Sequence, residues 1–237
     1  MLPGPPPPLF VQTRAALHRV ARYVITPARR AVDDQTWLVQ TEGGFGTPEL
    51  ADGTSVRVAD TELVVSDATG SRSAPITTLR AAAALAGVEV DASLEKPDIA
   101  PVGDVDEPLG VDPAAAAYLA GWYALAWDVL SLVRTDEESA DASDVRLWSH
   151  HFDPAMELLA DGERRRGSYG CSPGDDDVVQ PYLYVAPWYR DDAPESPFWN
   201  ATTFRGAILQ LDALLAAGDG VAAAVAFFRA GRDLLAG

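Results

Sequence analysis

The stretch that most constrains this chain runs from Ala114 to Val133, AAAAYLAGWYALAWDVLSLV, twenty residues in which Asp128 is the sole charge. A helix built from it has no polar face, so it belongs at the centre of a fold or inside a bilayer. Its flanks favour the first. Asp112 and Pro113 supply a cap and a first-turn proline, Arg134 is followed by the acidic run TDEE, and no second span of this kind occurs. A buried core helix is therefore expected, not a membrane span.

The segments around it alternate between helix and strand signals. Residues 3–8 are mostly proline and predict a short extended arm, read as a simple tail. Val11 to Ile25 reads as a helix with Leu17, Val20, Ala21 and Val24 as its apolar stripe. Arg14, His18 and Arg22 line another face, able to meet an anion, the protein's own carboxylates or solvent. Pro27 should end or kink this helix. TWLVQT, TSVRVA and TELVVSD are β-branched and separated by GGFG and ADG, which predicts strands joined by tight turns. Pro75 to Ala86 reads as helix with Gly87 as its stop, and Phe204 to Ala216 and Val221 to Leu235 as two closing helices.

The expected class is α+β, antiparallel strands packed with helices. Glu89 to Asp112 carries three prolines, Pro97, Pro101 and Pro108, among eight acidic residues, too many breaks for a helix. The domain plan is then a Pro-rich arm over 1–10, a first α+β half over 11–92, an acidic linker over 93–112 and a second α+β half over 113–237. Both halves read helix, strands, helix. TTLRA at Thr77 and TTFRG at Thr202 fall at equivalent places, so a tandem duplication is one reading of the order.

Chemistry-bearing residues concentrate between Val145 and Trp188. If Trp148 to Asp153 is a strand, alternation puts Trp148, His150 and Phe152 on one face and Ser149, His151 and Asp153 on the other. His151 and Asp153 would then form a His-x-Asp pair able to move a proton or to bind a divalent metal together with Asp175. Alternatively, Asp153-Pro154 ahead of AMELLA starts a helix over 154–160, with Asp153 as its cap and Asn200 or Thr202 doing the same later in the chain. GSYGCSPGDDD forms a tight loop whose Asp175, Asp176 and Asp177 suit a hard cation better than an anion. Cys171 could serve His151 as a nucleophile, but a small buried hydrophobe is the plainer role. PYLYVAPW, residues 181–188, reads as a strand, core first and pocket wall second. Trp148, Tyr169, Asp175, Tyr182, Trp188 and Arg205 are the candidate ligand-binding residues.

Charge and cysteine usage narrow the classes. With 35 acidic and 18 basic side chains, net −17, the chain repels a phosphate backbone and is not expected to bind nucleic acid. One cysteine forms no internal disulfide and no CxxC zinc pair. MLPGPPPPLF lacks the marks of a signal peptide, so a cytoplasmic location is expected.

Four motifs, LWSHHFDPA, YGCSPGDDD, PYLYVAPW and FWNATTFRGA, together resemble a domain family of uncharacterised proteins from GC-rich, actinobacterial-type bacteria. Leu147, Trp148, His151, Phe152 and Asp153 match the first motif, while Ser149 and His150 depart from it. Tyr169, Gly170, Ser172, Pro173, Gly174 and Asp175 match the second. The resemblance covers most of the second half and the first half loosely. It implies no activity or cofactor, and it favours His151 with Asp153 over His150. The expected function is a soluble small-molecule-binding domain with a His/Asp pocket. A metal-dependent hydrolase using His151, Asp153 and Asp175 to Asp177, and a protein–protein module, are the alternatives.

Overall fold

The computed structural model describes residues 2–96, 100–161, 164–189, 191 and 193–237. The fold is α+β, and the strand pairings described are all antiparallel. The chain divides into two compact units. The first holds Pro6–Tyr123 and Leu147–Phe152; the second holds Met1–Pro5, Ala124–Arg146 and Asp153–Gly237.

The first unit opens with helix α1 (Phe10–Val20), a π-helical turn (21–25) and α2 (Thr26–Asp33). Pro27 does not end the helix, which continues to Asp33. It sits in the first turn of α2, where a missing N–H is tolerated. The preceding π turn, in which the Thr26 N–H and its Oγ1 (2.9 Å) both reach the Ala21 carbonyl, provides the altered ladder. Asp34, at φ 56°, closes α2 in the left-handed region.

Strands β1 (Trp37–Thr41), β2 (Gly44–Gly46), β3 (Ser55–Ala59), β4 (Glu62–Asp67) and β5 (Gly70–Pro75) follow as a meander, and β6 (Arg146–Trp148) pairs with β1. Alternation works where one face is buried: Val56 and Val58 of β3 oppose Val65 and Leu63 of β4, all four in the core. GFG is a strand, not only a turn. A Cβ on Gly44 or Gly46 would fall 2.5 Å or less from β3, so glycine is required for this approach. GSRSAP makes β5, which takes the first residue of the expected Pro75–Ala86 helix. That helix is α3 (Leu79–Ala86), capped by Thr78 through the Ala81 N–H (3.0 Å) and stopped at Gly87, φ 72°.

The described part of 93–112 runs along α1 and the π turn. Arg19 donates to the Val102 carbonyl at 3.0 Å and pairs with Glu107, Tyr23 bonds the Ala100 carbonyl, and Leu109 is buried. Pro97 of that stretch lies outside the described residues. Helix α4 (Pro113–Arg134) starts as expected, with the Ala115 N–H on Asp112 Oδ1 at 2.9 Å. It is long and apolar enough to cross a bilayer by length and composition, and half of its most apolar window is buried in protein.

In the second unit, β7 (Asp153–Leu159), β8 (Arg166–Ser172), β9 (Tyr182–Pro187) and β10 (Ala207–Gln210) form a meander, followed by α5 (Leu211–Ala216) and α6 (Gly220–Ala236). The expected Phe204–Ala216 helix is thus half strand. Neither Asn200 nor Thr202 caps a helix, and TTFRG does not begin one as TTLRA does. Asn200 instead takes the Ile208 N–H on Oδ1 (2.8 Å) and donates Nδ2 to the Ile208 carbonyl (3.1 Å), completing β10 along its outer edge. Helix α6 is capped by Asp219 and packs on β8, β9 and β10. The arm is not a loose tail at its start: Leu2 is half-buried and seated against Gly220.

Replacing Asp112 by alanine removes the cap of the central helix and should cost about 1 kcal/mol. In urea unfolding the midpoint falls while the slope stays unchanged.

Candidate functional site

LWSHHFD does not form one strand. β6 stops at Trp148, and the Phe152 N–H returns to the Trp148 carbonyl at 2.7 Å, closing a turn over Ser149–Phe152. Phe152 has φ 60°, a strained value for a bulky residue that costs about 1–3 kcal/mol. Aromatic packing holds it there. His18 stacks on it at 4.9 Å and 2°, and Phe45 and Tyr123 meet it edge-on at 5.1 and 5.6 Å. The Tyr123 hydroxyl also donates to the Phe152 carbonyl at 2.7 Å.

All three histidines gather at this turn. His18 Nε2 donates to the Ser149 carbonyl at 3.1 Å, and the Ser149 hydroxyl donates to the Thr36 carbonyl at 3.0 Å. Burial of its imidazole pulls the pKa of His18 down to about 4; the Arg22 and Arg14 charges act the same way, against the hydrogen bonds to Ser149 and His150. His150 is half-buried, 5.8 Å from Trp148 and 4.3 Å from His151 between ring centres. Burial, then the charges of His151, Arg22 and Lys96, lower its pKa to about 4 as well. Trp148 is half-buried beside it.

The expected shared face for His151 and Asp153 is absent. His151 is exposed on the turn, whereas Asp153 is 3% exposed as the first residue of β7. Nor does Asp153 cap a helix, because residues 154–159 are strand. Pairing with β8 overrides the helical propensity of Ala-Met-Glu-Leu-Leu.

Asp153 belongs to a different arrangement, on the sheet of the second unit. The register places Asp153, Ala155 and Glu157 of β7, Ser168, Gly170 and Ser172 of β8, and Tyr182, Tyr184 and Ala186 of β9 on one face. The opposite face carries Met156, Tyr169 and Val185 toward α6, where Tyr169 meets Phe228 at 6.2 Å. Tyr169 is therefore a core residue and not a pocket residue; burial raises its pKa. Its hydroxyl has no partner among the described residues.

Tyr184 reaches across β8 and donates to Asp153 Oδ2 at 2.5 Å. Its ring lies over Gly170, where a Cβ would fall 2.4 Å away. Burial of the hydroxyl end and the Asp153 charge push its pKa well up, although the residue keeps some exposed surface. Two residues earlier, Tyr182 donates to Asp175 Oδ2 at 2.6 Å. Asp175 also accepts the Asp177 and Val178 N–H groups at 2.9 and 2.7 Å, so it organises the loop. Among the described residues no group of three His, Cys, Asp or Glu side chains is placed to hold a metal, and the expected His151, Asp153 and Asp175 set is not assembled.

Trp188 is 48% exposed and is fixed by two contacts: its Nε1–H donates to Ser168 Oγ at 3.2 Å, and the Arg166 guanidinium stands 5.4 Å over its ring. Arg205 is exposed and bonds the Ala193 carbonyl (3.4 Å). Cys171 is buried and its thiol pKa is pushed well up by burial, which suits the hydrophobe role and not a nucleophile.

A hollow of about 600 Å³ in the same unit is lined by Glu138, Ala160, Asp161, Arg232, Asp233 and Ala236. Its charges are answered internally: Arg232 pairs with Asp136 and Asp233, both at 3.0 Å. Sequence reasoning found Tyr182 and Trp188 but missed Tyr184, Glu157, Arg166 and Ser168. Tyr184 was legible as the position between them in the alternation; the others follow from cross-strand register alone. No protein-family model matches the chain, and no curated protein or solved structure shows significant similarity to it.

The His18 ring links stability to pH. Its folded pKa, about 4, lies below the unfolded value near 6.5, so the unfolded chain takes up the proton first. Stability is complete above pH 6.5 and is lost as pH falls from 6.5 to 4, by about 3 kcal/mol. Urea unfolding at pH 7 and pH 4.5 should show this loss, and His18→Phe should remove most of its own share.

Proposed function

We propose that this chain is a small-molecule-binding protein whose ligand lies on the half-exposed end of the sheet face that carries Tyr184 in the second unit. The observation that carries the reading is a pair of anchored aromatic rings with small, half-exposed residues between them. Tyr184 of β9 and Trp188, one residue past its end, stand four residues apart, roughly 13 Å at the usual strand rise. Between them the cross-strand pair Ala186 and Ser168 is small and half-exposed, and Glu157 continues the same row on β7.

Each ring is held from below by a polar contact, Tyr184 by Asp153 and Trp188 by Ser168, which lowers the ordering cost of binding. The chemistry suits a ligand of one to three rings, with an apolar face for the aromatics and a hydroxyl or amino donor for the Glu157 carboxylate. Nothing here depends on a His151/Asp153 pair.

The test is a titration of ¹⁵N-labelled protein with tyramine, glucosamine and glucose. A ligand of this class should shift the Trp188 indole N–H together with the Ser168 and Ala186 amides. Trp188→Ala should then weaken binding about tenfold or more, the loss typical of an aromatic anchor. Shifts confined to other surfaces, or binding unchanged in Trp188→Ala, would contradict the proposal.

A further inference from the structure

The first unit holds a group that the sheet-face reading does not use. Arg22, on the π turn, is 5% exposed, and its one described hydrogen bond runs from Nη2 to the Leu94 carbonyl at 2.9 Å. Its Nε–H is buried without an acceptor, and no described carboxylate lies within ion-pair distance. Arg29 and Arg232, equally buried, each hold an aspartate at 3.0 Å. A buried guanidinium left without a counter-charge is costly. It stands out in a chain with 35 acidic side chains against 18 basic ones.

The neighbours of Arg22 are also basic. His150 feels the charges of Arg22, Lys96 and His151, and His18 feels those of Arg22 and Arg14. Among the described carboxylates Asp91 acts on Arg22, and it lies 3.7 Å from Arg30. Lys96, the single lysine of the chain, is exposed, as is His151, and His150 is half-buried between surface and core. Geometry links these groups to Arg22: its Nη2 bonds the Leu94 carbonyl two residues before Lys96, and His18, one turn earlier on the same helix, bonds the Ser149 carbonyl next to His150, whose ring lies 4.3 Å from that of His151.

We propose that Arg22, Lys96, His150 and His151 form a binding site for a small oxyanion, a phosphate or carboxylate group. Arg22 supplies the fixed positive charge, Lys96 an ammonium that folds onto the anion, and the two imidazoles N–H donors. A bound anion gives Arg22 the ion pair that no described carboxylate makes with it.

Isothermal titration with inorganic phosphate at pH 7.5 and low ionic strength tests this, with citrate as the carboxylate arm and sodium chloride at matched ionic strength as control. Saturable binding of phosphate or citrate but not of chloride is expected, and the tighter of the two identifies the group. Lys96→Ala, an exposed change that leaves the fold intact, should weaken it about tenfold. His151→Ala should weaken it less, and Arg22→Gln should abolish it. In the absence of anion Arg22→Met should raise the melting temperature, since it removes an unpaired charge, and phosphate should then add nothing. No saturable heat with either anion, an equal response to chloride, or binding unaffected by Lys96→Ala would overturn the proposal.

Discussion

One hydrogen bond organises the second unit: the Tyr184 phenol on the Asp153 carboxylate, drawn across the whole width of β8. Tyr184 and Asp153 belong to strands that do not pair with each other, so the ring has to lie flat over the strand between them. Only glycine at position 170 leaves room for it. The bond therefore ties three strands together, and it gives Oδ2 of the buried Asp153 carboxylate a donor. The small residues of β8 follow from the same need. Ser168, Gly170 and Ser172 lie opposite the β9 residues Ala186, Tyr184 and Tyr182, and the proposed ligand recess is where Ala186 faces Ser168.

The first unit solves a comparable problem without a carboxylate. Its strained point is Phe152, and packing rather than charge over-determines it: a stacked imidazole, two edge-on rings and a hydrogen bond from Tyr123 to its carbonyl. The turn is thereby rigid, yet its outward residues, His150 and His151, carry no part of that packing. The same unit buries Arg22, which makes no ion pair among the described residues.

What was legible in the sequence was local. α4 was readable because its cap, its first-turn proline and its apolar run are all encoded within a few residues, and Thr78 with Gly87 marks α3 in the same way. β3 and β4 show period-two burial because one face of each meets the core. β5 escaped because its residues are mostly exposed and leave no hydrophobic pattern to read. β7 escaped because Met-Glu-Leu-Leu favours helix until β8 is there to pair with it. The Ser149–Phe152 turn depends on His18, Phe45 and Tyr123, distant in sequence, so no local pattern could break the apparent alternation that joined His151 to Asp153. For the same reason Tyr182 and Trp188 stood out as aromatics, while Glu157, Arg166 and Ser168 became visible only once the register was known.

The most direct test of this account is a double-mutant cycle on the bond that ties β7 to β9. Asp153→Asn, Tyr184→Phe and the double variant would be compared with the unaltered protein by urea unfolding at pH 7. A coupling energy of about 1.5–3 kcal/mol, as for a hydrogen bond to a carboxylate, is expected. Single losses that add to within about 0.5 kcal/mol would mean that the two residues stabilise the fold independently. The sheet face would then lack the strut on which its recess depends.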